Sequence, residues 1–200
     1  MKSFLQRFAD FISYFFAVLF IYAAVSKGKD FENFQIQLAQ SPLLSAYAGT
    51  VSYAVIVLEV CVAILLVIPK VRKAGLYASF GLMTAFTAYI YLILHHSDSV
   101  PCSCGGILEK MGWQEHLIFN EVCAAAAFTA LMILETQGAF RLHRTAVLSS
   151  LTFTVSAGGM FALFFSSEYI MKRENAFIRR FPQHPVTEER TFDVKVNSYY

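Results

Sequence analysis

VSYAVIVLEVCVAILLVI, residues 51–68, decides the fold: eighteen positions hold one charged side chain, Glu59. A bilayer core is crossed by about 20 mostly apolar residues in a helix, and with one adjoining turn this segment is long enough. It does not alternate with period two, which argues against a strand of a membrane barrel. In lipid the backbone must satisfy its own hydrogen bonds, so a helix is the remaining structure.

Four further stretches read the same way. They run from Phe11 to Val25, from Ala74 to Leu94 without a charge, from just after Trp113 to Leu134, and from Val147 to Phe165, the last rich in Ser and Thr. Five such helices take about 100 positions, half of a 200-residue chain that is 56% hydrophobic and 15% charged. No room is left for a sizeable water-soluble core. The expected class is therefore an all-α integral membrane protein, an antiparallel four-helix bundle plus a fifth helix. A net charge of +2 without a dense basic patch excludes a nucleic-acid binder. Phosphate-cradling glycine loops, dinucleotide fingerprints and Ser-His-Asp hydrolase signals are missing. Lys2 and Arg7 ahead of the first apolar run also fit a signal peptide, but Ser26-Lys27-Gly28-Lys29 makes a poor cleavage site, so the first helix is expected to be retained.

Basic residues in the loops set the expected orientation. With the N-terminus cytoplasmic, that side carries Lys2, Arg7, Lys70, Arg72, Lys73, Arg141 and Arg144, against Lys27, Lys29 and Lys110 opposite. Lys172, Arg173, Arg179 and Arg180 run against this pattern. Within the tail, Phe192, Val194 and Val196 alternate with polar residues and hint at a short strand or a partner contact.

This orientation puts HHSDSVPCSCGGILEKMGW, residues 95–113, on the oxidising face. Cys102 and Cys104 are one residue apart, so a disulfide between them closes a small strained ring of the labile, redox-active kind. Pro101 stiffens its entry, and Gly105 and Gly106 supply backbone freedom. Two other readings stay open: an inert loop clasp, and metal capture with His95, His96 and His116, although one C-x-C with scattered histidines matches zinc spacing poorly. Cys61 and Cys123, inside helices, read as small buried hydrophobes.

An acid at membrane depth is costly and belongs in the bundle interior, which makes Glu59 a functional candidate. His116, Asn120 and Cys123 follow at i, i+4 and i+7 on one helix face, with Glu121 beside them. Such a stripe could hold the polar head of a quinone and move its protons, or serve only as interhelical hydrogen bonding. Thr84, Thr87, Tyr91, Gly158 and Gly159 read as close-packing surfaces.

PCSCGG at 101–106, then Trp113, His116 and Asn120, with Lys27, Glu59 and the loop FENFQIQLAQSPLL at 31–44, resemble the MauE branch of the DoxX-like membrane proteins. The likeness spans roughly residues 8–140. It implies a four-helix domain over 1–140, with an additional helix at 141–170 and a polar periplasmic tail at 171–200 outside it. It also implies a redox role in maturing periplasmic proteins of methylamine utilisation, beside a thioredoxin-like partner. Trp113 would support the loop. The expectation is a bacterial inner-membrane thiol-disulfide protein with no covalently bound cofactor, catalytic Cys102 and Cys104, and quinone or proton groups among His116, Asn120, Glu59 and Glu121. The alternative is a non-enzymatic assembly subunit that docks a periplasmic partner and keeps a structural C-x-C disulfide. Membrane lipid surrounds the chain in either case.

Overall fold

The computed structural model describes residues 2–41, 44–96, 112–135 and 139–180. Six helices occupy them: α1 (Lys2–Lys29), α2 (Phe31–Gln40), α3 (Ala48–Val67), α4 (Arg72–His96), α5 (Trp113–Glu135) and α6 (Ala139–Arg180), with a 3₁₀ turn at Ser45–Tyr47 before α3. Among the described residues, five helices are long and apolar enough to cross a membrane, α2 being the exception. The all-α integral membrane expectation therefore holds.

The distribution of side chains explains why these helices assemble. On α1 the outward positions are Phe4, Phe11, Tyr14, Val18, Ile21 and Val25, while Ala9, Ser13, Phe16, Ala17 and Phe20 face inward. A water-soluble bundle would place the large apolar groups the other way. Here lipid solvates them, and small inward residues let the helices approach closely. Phe16, Phe20, Leu66, Leu76, Ala127 and Leu131 form the core where α1, α3, α4 and α5 meet. The inward hydroxyls bond within their own helices: Ser13 Oγ to Ala9 O, Ser79 Oγ to Gly75 O and Thr84 Oγ1 to Phe80 O, each 2.8 Å.

Glycine matters at two close approaches. A Cβ on Gly75 would lie 2.9 Å from Leu66 N, where α4 turns back against α3, and one on Gly81 would meet Ser156 Oγ and Thr152 Cγ2 of α6 at 3.0 Å. Gly158 and Gly159 have no such neighbour within 4 Å, so their expected packing role is corrected. They lie on the outward side of α6, which meets the bundle through other residues. Thr87 Oγ1 likewise bonds Met83 O, and Tyr91 is 46% exposed, stacked on His95.

At the α3–α4 turn, Arg72 donates from Nη1 to Asp10, from Nη2 to Tyr14 Oη at 3.2 Å and from Nε to the Leu66 carbonyl at 3.2 Å. Its guanidinium lies 5.1 Å from the Tyr14 ring centroid. One planar fork thus ties α1 to the turn and caps the end of α3.

Two departures concern elements. Residues 31–40, read as loop, form α2, whose Phe34, Gln37 and Leu38 are buried while Ile36 is exposed. Ten residues cannot span the bilayer; Phe34 and Leu38 of α2 pack instead with Ala48 at the start of α3 and Tyr89, Ile90, Leu92 and Ile93 near the end of α4. The fifth apolar helix is also longer than expected. At roughly 1.5 Å per residue, the 42 residues of α6 reach well beyond a core of about 30 Å.

Candidate functional site

Antiparallel order brings the C-terminal halves of α1 and α4 and the N-terminal halves of α3 and α5 to the same end of the bundle. There the helices enclose a cavity of about 120 Å³, roofed by Phe34 and Leu38 of α2. Its apolar lining includes Phe20, Val55, Met83, Phe86 and Ile90. Lys27, Glu59, His116 and Asn120 bring charge and polar groups to it, and Tyr89 and Trp113 are also on its wall. On this measure a water needs about 10–15 Å³, whereas an apolar cavity of about 150 Å³ admits benzene. The space is therefore of the size of a six-membered ring.

The start of α5 is held locally. Gly112 precedes it and its N–H donates to Glu115 Oε2 at 3.1 Å, while the His116 N–H donates to Gly112 O at 2.9 Å. This is one half of a capping box. It orients the first turn so that Trp113 and His116 meet the cavity, and Asn120 follows one turn deeper.

At the centre, Lys27 Nζ lies 2.6 Å from Glu59 Oε1, with the two side chains 12% and 1% exposed. Phe34 and Phe86 each place a ring centroid 5.9 Å from the same ammonium. A lone charge at this depth is expensive, and pairing with a carboxylate between two aromatic faces removes most of that cost. The pair leaves polar capacity unused. Glu59 Oε2, His116 Nδ1 and Asn120 Nδ2 are buried and have no hydrogen-bond partner among the described residues. Unmet buried acceptors and donors cost about 1–3 kcal/mol each, and these three belong to residues that line one cavity.

The expected residues divide as follows. Glu59, His116 and Asn120 are brought together, and Trp113 joins them on the wall. Glu121, one position from Asn120, is exposed and turned away. Cys123 is buried in the core between helices, outside the lining, whereas Cys61 is exposed on the outer side of α3, which corrects its reading as a buried group. His95 is exposed, its Nδ1 2.9 Å from Tyr91 O, so it does not join His116. Pro101, Cys102, Cys104, Gly105 and Gly106 lie outside the described residues, as do Phe192, Val194 and Val196.

Lys27 is the residue that sequence reasoning placed wrongly, as a loop charge. It sits in the last turn of α1. Phe20, Ala23 and Lys27 all line the cavity, and their i, i+3, i+7 spacing was the available signal once the helix is carried past Val25. The roof and the α6 residues Met160 and Leu163 had no comparable signal.

Comparison with known proteins bears on the same segment. Neither the curated proteins nor the solved structures contain a match to the chain. The family model described as Methylamine utilisation protein MauE matches residues 5–133. That stretch runs from α1 almost to the end of α5, more than half of the chain, and contains every polar group of the cavity; this chain belongs to the MauE family.

Proposed function

We propose that this protein is a methylamine-utilisation-type membrane redox protein that exchanges electrons between Cys102 and Cys104 and a quinone seated in the cavity. One observation carries the reading: the second oxygen of Glu59 in the buried ion pair, and His116 Nδ1 and Asn120 Nδ2 on the same cavity wall, have no hydrogen-bond partner among the described residues, at the end of the bundle where α4 stops and α5 begins. Tyr89 and Ile90 near the end of α4, and Trp113 at the start of α5, all line the cavity. The helices on either side of the segment with both cysteines, α4 and α5, thus both contribute to the cavity wall.

A reduced thioredoxin-like protein would attack the Cys102–Cys104 disulfide, form a mixed disulfide and leave as its own disulfide, with the C-x-C pair now a dithiol. The dithiol then returns to the disulfide as the quinone becomes hydroquinone, a transfer of two electrons and two protons. Within this scheme Asn120 Nδ2 and the Lys27 ammonium donate to ring oxygens. Glu59 Oε2 and His116 accept from hydroxyls and pass protons. The reading places the chain in the bacterial inner membrane, with its N-terminus cytoplasmic and the C-x-C segment periplasmic, in line with the asymmetry of basic residues.

Titration of the purified protein against glutathione or dithiothreitol buffers, read by thiol alkylation, tests it. The expected potential lies well above the value of about −300 mV below which structural disulfides fall, and a quinone analogue should reoxidise the reduced pair. A potential in the structural range would leave the non-enzymatic assembly subunit with its structural disulfide, and thiols that never oxidise would leave the metal reading. A trapped mixed disulfide with Cys102→Ala or Cys104→Ala protein would identify the partner.

A further inference from the structure

Lys27, Glu59, His116 and Asn120 all belong to the family-matched residues 5–133, but part of the cavity's apolar wall does not. Met160 and Leu163, three positions apart on one face of α6, complete the lining. Their neighbours point away from the bundle: Val155 is 65%, Phe161 41% and Phe165 63% exposed. Here, on the α6 side, the partition between cavity and lipid is a single helix thick.

That helix is held in place just beyond the lining residues. Tyr47 Oη, in the 3₁₀ turn ahead of α3, donates to Ser166 Oγ at 3.2 Å, and Ser166 Oγ donates in turn to Leu163 O at 3.1 Å. Closer to the opposite end of α6, Gly81 of α4 admits Ser156 and Thr152 at close range. Met160 and Leu163 are fixed between these two attachments. Both side chains are flexible at their tips but bounded in volume, and Met in particular adapts to irregular apolar shapes.

We infer that α6 is the selectivity wall of the cavity, Met160 and Leu163 setting which quinone ring it accepts while Lys27, Glu59, His116 and Asn120 hold the ring's oxygens. The inference rests on the quinone reading and adds to it the source of ring selectivity. In an apolar pocket one methylene changes discrimination about tenfold or more. Shortening either side chain therefore admits a fused bicyclic ring at little cost to a monocyclic one.

The chain's one tryptophan, Trp113, lines the same cavity, so its fluorescence, quenched by a bound quinone, reports occupancy directly. Full-length protein in detergent would be titrated with a short-chain benzoquinone and with a short-chain naphthoquinone. Met160→Ala and Leu163→Ala should shift the ratio of the two Kd values about tenfold toward the bicyclic ring. Met160→Phe should shift it the other way, and Val155→Ala, on the lipid side of the same helix, should leave it at the wild-type value. Quenching in the wild type with the same ratio in all variants would refute the selectivity wall alone. No saturable quenching of the wild type by either quinone would refute the quinone reading and the wall with it.

Discussion

Replacing Lys27 with Met leaves the Glu59 carboxylate without its partner inside the bundle. The contact is 2.6 Å and the two side chains are 12% and 1% exposed, so solvent screens it little. Removing one member of such a pair typically costs about 3–5 kcal/mol. Insertion scales for a charge at a helix centre give about 2.5–3.5 kcal/mol. Both routes point to about 3 kcal/mol, or roughly two powers of ten in the folded-to-unfolded ratio. Glu59→Leu should cost a similar amount by orphaning the ammonium. The double variant Lys27→Met/Glu59→Leu should recover to within about 1 kcal/mol of wild type, because apolar groups of similar volume replace a buried ion pair at little or no net cost. Reversible unfolding in mixed detergent and dodecyl sulfate micelles measures all three. Single variants that lose under about 1 kcal/mol, or a double variant that loses the sum, would refute the reasoning that the pair is buried and coupled. The same double variant separates stability from binding, since it should fold yet fail to quench Trp113 with quinone.

Other outcomes follow from the same packing. Gly75→Ala brings a Cβ to 2.9 Å from the Leu66 backbone nitrogen and should destabilise by about 1–3 kcal/mol, whereas Gly158→Ala meets nothing within 4 Å and should stabilise α6 by up to about 1 kcal/mol through helix propensity; thermal unfolding compares the two. Arg72→Lys keeps the charge but not the fork that reaches Asp10, Tyr14 and Leu66, and should cost about 1 kcal/mol with Asp10 partly open to solvent, measured in the same unfolding assay. Reduced Cys102 and Cys104 should react with a membrane-impermeant thiol reagent in cells stripped of their outer barrier, and labelling only after lysis would reverse the proposed orientation.

Glu59 was legible as a site residue because one acid in an apolar span has few explanations, and His116 and Asn120 because four residues make about one helical turn. Glu121 shows the limit of that logic: one position away, it turns about 100° from its neighbour and leaves the cavity. The small residues illustrate the same limit. Gly158 and Gly159 look like a packing surface, yet Gly75 and Gly81 are the close approaches, since which side of a helix meets its neighbour depends on the rotation of both.

By itself the sequence determined the membrane-spanning, all-helical class and the approximate position of each crossing, because insertion responds to the apolar character of one segment at a time. Tertiary structure alone decided that Lys27 meets Glu59, 32 positions away. It also decided that α2 roofs the cavity and that Met160 and Leu163 close it. These depend on the depth, rotation and antiparallel order in which helices already in the bilayer pack, and in lipid that choice is made by close contact and polar pairing between helices rather than by hydrophobicity, which is equally satisfied on every side.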